Sequence, residues 1–326
     1  MAISWRTWLK KTIHCDNSYV RTGLAEFLGT FLLVLLLNGM IITAHMSVRN
    51  ADGTMAHPLN TAHLAFGGGL AVMVAVLVSG GISGAHLNPA VTTTMLVMGR
   101  LSPLKSLVYI FMQYMGAFFA ASILYAVYFE SILAYDYGER QVLGANGTAG
   151  WFATYPQEHI SLVTQIFDAI LGTGLLVMGI FAIIDPNNMA VPKGQIPLYV
   201  GFLISSLIFS FSYNAGAALN PARDLAPRLF LWVIGYGAEA FTARGHLWWL
   251  VPVIGPHVGG LLGGVTYQMF IGAHYQSDRK LKPATIMDED DDTNATYNTI
   301  TTTTHQKVYN GRRNFDESVP LKTVHA

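Results

Sequence analysis

Two segments of this chain are too short for the surroundings in which they occur. "SGAHLNPAVT" (83–92) and "GAALNPARDL" (216–225) share the core Leu-Asn-Pro-Ala, and each opens a brief apolar stretch, "NPAVTTTMLVMG" (88–99) and "NPARDLAPRLFLWV" (220–233). At 1.5 Å per residue a helix of about ten residues is only ~15 Å long, half of the ~30 Å of hydrocarbon in a bilayer. Asn is a strong N-cap and Pro is favoured at the first helical position. The pattern therefore predicts two half-helices with well-defined N-termini at Asn88-Pro89-Ala90 and Asn220-Pro221-Ala222. Each follows a polar, Gly-rich stretch, "GGISGAH" or "SYNAGA". Non-helical backbone at membrane depth is tolerated only where protein buries it or it lines a water-filled cavity. The copies differ in one respect: the second carries Arg223 and Asp224 where the first has Val91 and Thr92.

The rest of the chain supplies the membrane. Only 12% of the 326 residues are charged and 52% are hydrophobic, against about 25% charged in a soluble domain. Mean hydropathy is +0.39. Six stretches are long enough to span, near 22–46, 59–82, 104–129, 161–184, 196–216 and 246–272. The first short segment follows span two and the second follows span five, so an odd number of crossings separates them and they enter from opposite faces. "EFLGTFLLVLLL" from Glu26 is echoed by "AILGTGLLVMGI" from Ala169. This predicts an all-α membrane fold of six helices plus two half-helices, in an inverted repeat of about 21–130 and 160–272. The half-helices meet tip to tip at the midplane.

Residues 1–20 read as an N-terminal tail with no cleaved signal peptide. Residues 273–326, with "DEDDDTNATYNTITTTT", read as a disordered tail. Lys and Arg cluster on the side of both termini (Arg6, Lys10, Lys11, Arg21, Arg100, Lys105, Lys193), which predicts cytoplasmic termini in a multi-pass cell-membrane protein. The sequon at Asn146 is then extracellular and open to glycosylation, and that at Asn294 is not. The single cysteine, Cys15, rules out an internal disulfide and a thiolate cluster. Zero net charge offers no field for nucleic acid. No nucleotide loop, metal cluster or nucleophile triad is present, so neither a cofactor nor an enzyme is expected.

Paired Asn-Pro-Ala boxes, six spans and an inverted repeat resemble the major intrinsic proteins, the aquaporins and aquaglyceroporins, over about residues 20–272. "AEFLGT" (25–30) and "SGAHLNPAVT" add to the match. "NPARD" followed by "LAPR", and "VPVIGP" in span six, are similar to the glycerol-conducting branch. There Asp224, Arg228, Pro252 and Val253 stand where water-selective members usually have other residues. The resemblance implies a channel for glycerol, water and other small neutral solutes such as urea, and a homotetramer with one pore per subunit in the lipid bilayer. A strict water channel is the nearest alternative. A coupled transporter would need acidic sites, and the spans offer only Glu26 and Asp168.

Carried over from the boxes, the selectivity filter falls on Gly68, Ile208, Ala217 and Arg223; a two-residue shift in span two would substitute Phe66 for Gly68. Positive helix ends repel cations at the midplane, and the Asn88 and Asn220 amides can donate to a passing oxygen. Loop carbonyls of 84–87 and 216–219 can form an acceptor ladder opposite an apolar wall, which suits a polyol. Arg223 is expected to present donors near the outer mouth, and Asp224 to accept hydrogen bonds that support the second half-helix. Glu26 is expected to stabilise a loop. His86 is either a titratable gate or a hydrogen-bonded structural residue. The small residues of "GPHVGGLLGG" (255–264) predict a close helix crossing.

Overall fold

The computed structural model describes residues 4–47 and 61–275. The sequon at Asn294 and the acidic, Thr-rich segment lie outside the described residues. Among the described residues six helices have the length and composition to cross a membrane. They are α2 (Ser18–Ser47), α3 (Thr61–Ser83), α5 (Pro103–Val127), α7 (Leu162–Ile184), α8 (Ile196–Ala215) and α11 (Val251–Phe270). The half-helices are α4 (Pro89–Val97) and α9 (Pro221–Leu231). The second is shorter than the sequence reading, because the chain widens into a π-turn at Trp232–Tyr236, where Gly235 takes φ 112°.

Contacts between helices repeat with the predicted symmetry. In the first half α2 packs on α3 and α5; in the second, α7 packs on α8 and α11. α3 meets α8 across the halves, and each half-helix packs on the last helix of the other half, α4 on α11 and α9 on α5. Small residues permit these approaches. A Cβ on Gly259 would overlap the Ile170 carbonyl, and one on Gly263 the Gly174 carbonyl, so α7 and α11 touch backbone to backbone. Large apolar side chains such as Leu70, Phe111, Phe167 and Phe202 are exposed around the outside, as lipid-facing surfaces require.

Three short helices fall in stretches that read as tail or loop: α1 (Trp5–Ile13), α6 (Phe129–Asp136) and α10 (Glu239–Thr242). The connection from α6 to α7 is itself packed. Trp151, Phe152 and Ala153 are buried, in one cluster with Tyr236 and Ala240 of the connection before α11. Thr148 Oγ1 bonds Tyr236 Oη, and Tyr155 Oη donates to the Ala240 carbonyl at 2.8 Å. The two connections thus form a single lid over one end of the bundle. Burial there pushes the Tyr236 phenol up to about 12, so it stays a neutral partner for Thr148 at any ordinary pH.

Candidate functional site: a cavity between two half-helices

The site begins with two asparagines. Asn88 is extended (φ −154°, ψ 120°) and its Oδ1 accepts the Ala90 N–H at 2.9 Å. Asn220 is extended (φ −142°, ψ 110°) and its Oδ1 accepts from Ala222 N–H at 3.1 Å and Arg223 N–H at 3.3 Å. Each side chain therefore caps its own helix. The amides do a second job: Asn88 Nδ2 donates to the Leu219 carbonyl at 2.9 Å, and Asn220 Nδ2 to the Leu87 carbonyl at 2.8 Å. The half-helices are cross-linked tip to tip, with one N–H of each amide left over, since a carboxamide carries two donors. Pro89, Ala90, Pro221 and Ala222 are buried behind the tips. The carbonyls of Leu87 and Leu219, expected in the acceptor ladder, already accept these amides.

The loops reach the tips through left-handed backbone: Gly84 (82°), Ala85 (52°) and Leu87 (52°) in the first, Gly216 (70°) and Ala217 (53°) in the second. For residues with a Cβ this costs roughly 1 kcal/mol or more each, so the surroundings must enforce it. In the first loop the enforcer is Glu26 of α2, fully buried. Its Oε1 accepts the His86 N–H at 2.9 Å, and its Oε2 accepts the Leu87 N–H at 2.8 Å and Gln113 Nε2 at 2.8 Å. Gln113 also reaches Thr92 Oγ1 at 2.9 Å. The His86 ring is held between Thr92 Oγ1, 3.2 Å from its Nδ1, and the edge of Tyr109.

The second half-helix is held from the lid. Asp224 Oδ2 accepts from Thr154 N–H at 2.7 Å and from Thr154 Oγ1, while Asp224 Oδ1 pairs with Arg228 at 2.9 Å. Arg228, fully buried, donates onward to the carbonyls of Ala240 and Thr154. Trp248 Nε1 joins at the same Thr154 carbonyl, 2.9 Å away. Asp224 and Arg228 lie one turn apart on one face; Arg223 sits on another, and its Nη1 faces the Phe152 carbonyl at 3.4 Å. Asn38 Nδ2 donates to that carbonyl at 3.1 Å.

Around the tips lies an elongated cavity of about 370 Å³. Gly68, Ile208, Ala217, Arg223, Asn88, Asn220 and His86 all line it. Among its described lining residues Arg223 is the one permanent charge. The spanning helices contribute a mostly aliphatic wall, including Leu33, Val72, Val76, Leu176 and Val200, with His45, Ser212 and Tyr213 also on it. Phe66 does not line it; it points outwards, 52% exposed, edge-on to Phe209. A Cβ on Gly68 would overlap Ile208 Cδ1, so Ile208 leans into the space that Gly68 vacates. Pro252 is buried and Val253 partly buried at the start of α11, and neither reaches the cavity. Asn146 sits half-buried in the turn that Gly147 N–H closes on the Gly144 carbonyl at 3.1 Å.

Sequence reasoning did not anticipate Gln113, Thr154, Trp248 or the Phe152 carbonyl. Gln113 and Thr154 are polar residues in apolar stretches, which is a signal; a main-chain acceptor leaves none.

The family described as "Major intrinsic protein" matches residues 14–267. Aquaporin-2 of Milnesium tardigradum is 43% identical over 276 residues, 85% of this chain and 83% of that protein. Human Aquaporin-10 is 44% identical over 255 residues, 78% of this chain and 82% of that protein. The X-ray structure of the aquaglyceroporin from Plasmodium falciparum superposes with a TM-score of 0.66 at 30% identity, over 78% of this chain and 97% of that one. An all-helical channel architecture built around two capped half-helices, and relatives along most of its length, lead to one conclusion: this chain is a member of the major intrinsic protein family, integral membrane channels and not enzymes.

Proposed function

We propose that the channel conducts glycerol as well as water, together with other small neutral solutes such as urea, and excludes ions and protons. The observation that carries this is the two-sided cavity. The loops and half-helices offer Arg223, the asparagine amides and backbone; the spanning helices offer a mostly aliphatic wall. A polyol has hydroxyls along one edge and carbons along the other, and such a pore replaces its hydration on one side only. The filter positions add width, since Gly68 and Ala217 are small and none of the four is aromatic. The aquaglyceroporin from Plasmodium falciparum lends support by structural likeness. Ion exclusion follows from the two positive helix ends at the tips and the charge of Arg223.

Proteoliposomes test the reading. Vesicles shrunk by hyperosmotic glycerol should re-swell well above protein-free controls, and water flux should rise in the same preparation. A rise in water flux alone would assign the chain to strict water conduction.

The same reading extends to setting. Both termini are cytoplasmic in the cell membrane, Asn146 bears a glycan, and four copies assemble with one pore each. What supports the orientation is the Lys and Arg bias. Loss of the glycosidase-sensitive mobility shift in Asn146→Gln is the expected result; a shift that persists would reverse the orientation.

A further inference from the structure

Helix α1 (Trp5–Ile13) has a surface that no described part of the molecule covers. Ser4 caps it, accepting the Thr7 N–H at 3.5 Å. At 100° per residue Trp5, Trp8, Leu9 and Ile13 fall on one arc, while Arg6, Lys10 and Lys11 fall on the other. None of its residues is buried; Trp5 is 67% exposed, Trp8 59% and Ile13 67%. An isolated helix of nine residues is marginal in water, and among the described residues none of this one is buried by a neighbour.

Its position says what does. Residues 14–17 alone separate α1 from α2, a membrane-spanning helix. The first turns of α2 expose Tyr19, Val20 and Leu24, so the apolar surface continues from α1 into the span. A segment tethered so closely stays at the bilayer surface. Tryptophan prefers the headgroup level, and a basic face opposite an apolar one is the pattern of a helix lying in the interface.

We propose that α1 lies in the membrane interface and binds anionic lipid, with Trp5, Trp8, Leu9 and Ile13 among the acyl chains and Arg6, Lys10 and Lys11 on the phosphates. The acidic run at 288–292, outside the described residues, is the competing occupant. It would match the three cations but would leave both indoles and Ile13 in water. Lipid satisfies both faces at once.

The test uses the full chain with Cys15→Ser, spin-labelled through Ile13→Cys or Lys11→Cys, in vesicles of phosphatidylcholine with or without phosphatidylserine. In phosphatidylserine vesicles the label at 13 should be open to oxygen and shielded from a water-soluble nickel chelate, and the label at 11 the reverse. The inserted fraction should fall on removal of phosphatidylserine. Combining R6Q with K10Q should lower the inserted-to-withdrawn ratio roughly fivefold per cation. Water flux should be unchanged, since α1 contributes no residue to the cavity lining. Three results overturn the proposal: a label at 13 equally open to nickel in both vesicle types; a label shielded from both reagents in both, which means a protein contact; or a response to neutralising 288–292 in place of a response to lipid charge.

Discussion

The two half-helices are alike in backbone and unlike in how they are held. Both open on an extended asparagine, both are reached through left-handed residues, and each donates to the other's loop. For α4 the buried charge belongs to another helix, Glu26 of α2, and grips loop N–H groups. For α9 the charges lie within the half-helix and grip the lid. Asp168, the acid nearest to Glu26's place in the second half, is one position out of register, with Ala169 at the matching site. The difference explains why one box is neutral and the other charged. Asp224 is occupied by Arg228 and Thr154, and among the described residues Arg223 forms no ion pair with a carboxylate and faces the cavity.

Breaking α9's anchor should have the largest effect. Asp224→Ala leaves the Arg228 guanidinium buried without its counter-charge, a loss of about 3–5 kcal/mol, and frees Thr154. Thermal unfolding in detergent should show it, with Asp224→Ala/Arg228→Met recovering part of the loss. A single mutant as stable as wild type would mean that the lid does not depend on this pair. Glu26→Ala should follow closely. It strands the N–H groups of His86 and Leu87 and the Gln113 amide, at about 3 kcal/mol in total. Glu26→Gln, which keeps an acceptor, should be milder; equal loss for both would show that the loop needs the charge itself.

Part of this arrangement is legible in the sequence. Spans and half-helices could be read because length and the Asn-Pro start are local properties, and the observed ends lie within a few residues of the readings. Tethers such as Gln113 to Glu26, or Trp248 to Thr154, join residues far apart in the chain, and no periodicity reports them. The lid read as loop because its buried residues, Trp151 to Ala153, form too short an apolar run. Helix α1 was missed for a different reason: its charges made the segment look like a solvated tail, although the same charges sit on one face.

Removing the unpaired charge tests function more than stability. Arg223→Val copies Val91, its counterpart on α4. The guanidinium sits near a positive helix end, where a cation is disfavoured, and the Phe152 carbonyl accepts from it at 3.4 Å. Its loss should leave the fold intact, keep or raise glycerol flux, and admit a proton or cation leak measurable with a pH-sensitive dye under an imposed potential. Unchanged selectivity without a leak would make Arg223 a structural charge.

The smallest effect should come from the corner of the cavity lined by Gly68 and Ile208. Gly68 has no side chain, and Ile208 leans into the vacancy. In Gly68→Ala the new methyl meets Ile208 Cδ1, and Ile208 must turn towards the cavity or push α8 away. The second course is resisted by the α3–α8 crossing, where a Cβ on Gly69 would already overlap the Gly201 carbonyl. Ile208 should therefore turn inwards and narrow the pore. A crowded solute meets a barrier of about 1 kcal/mol, roughly fivefold in rate. Glycerol, the larger solute, should feel it more than water does. Adding Ile208→Val removes the clashing methyl and should restore glycerol flux. If the two fluxes fall together in Gly68→Ala, this corner does not discriminate by size, and selection rests on Arg223 and the asparagine tips instead.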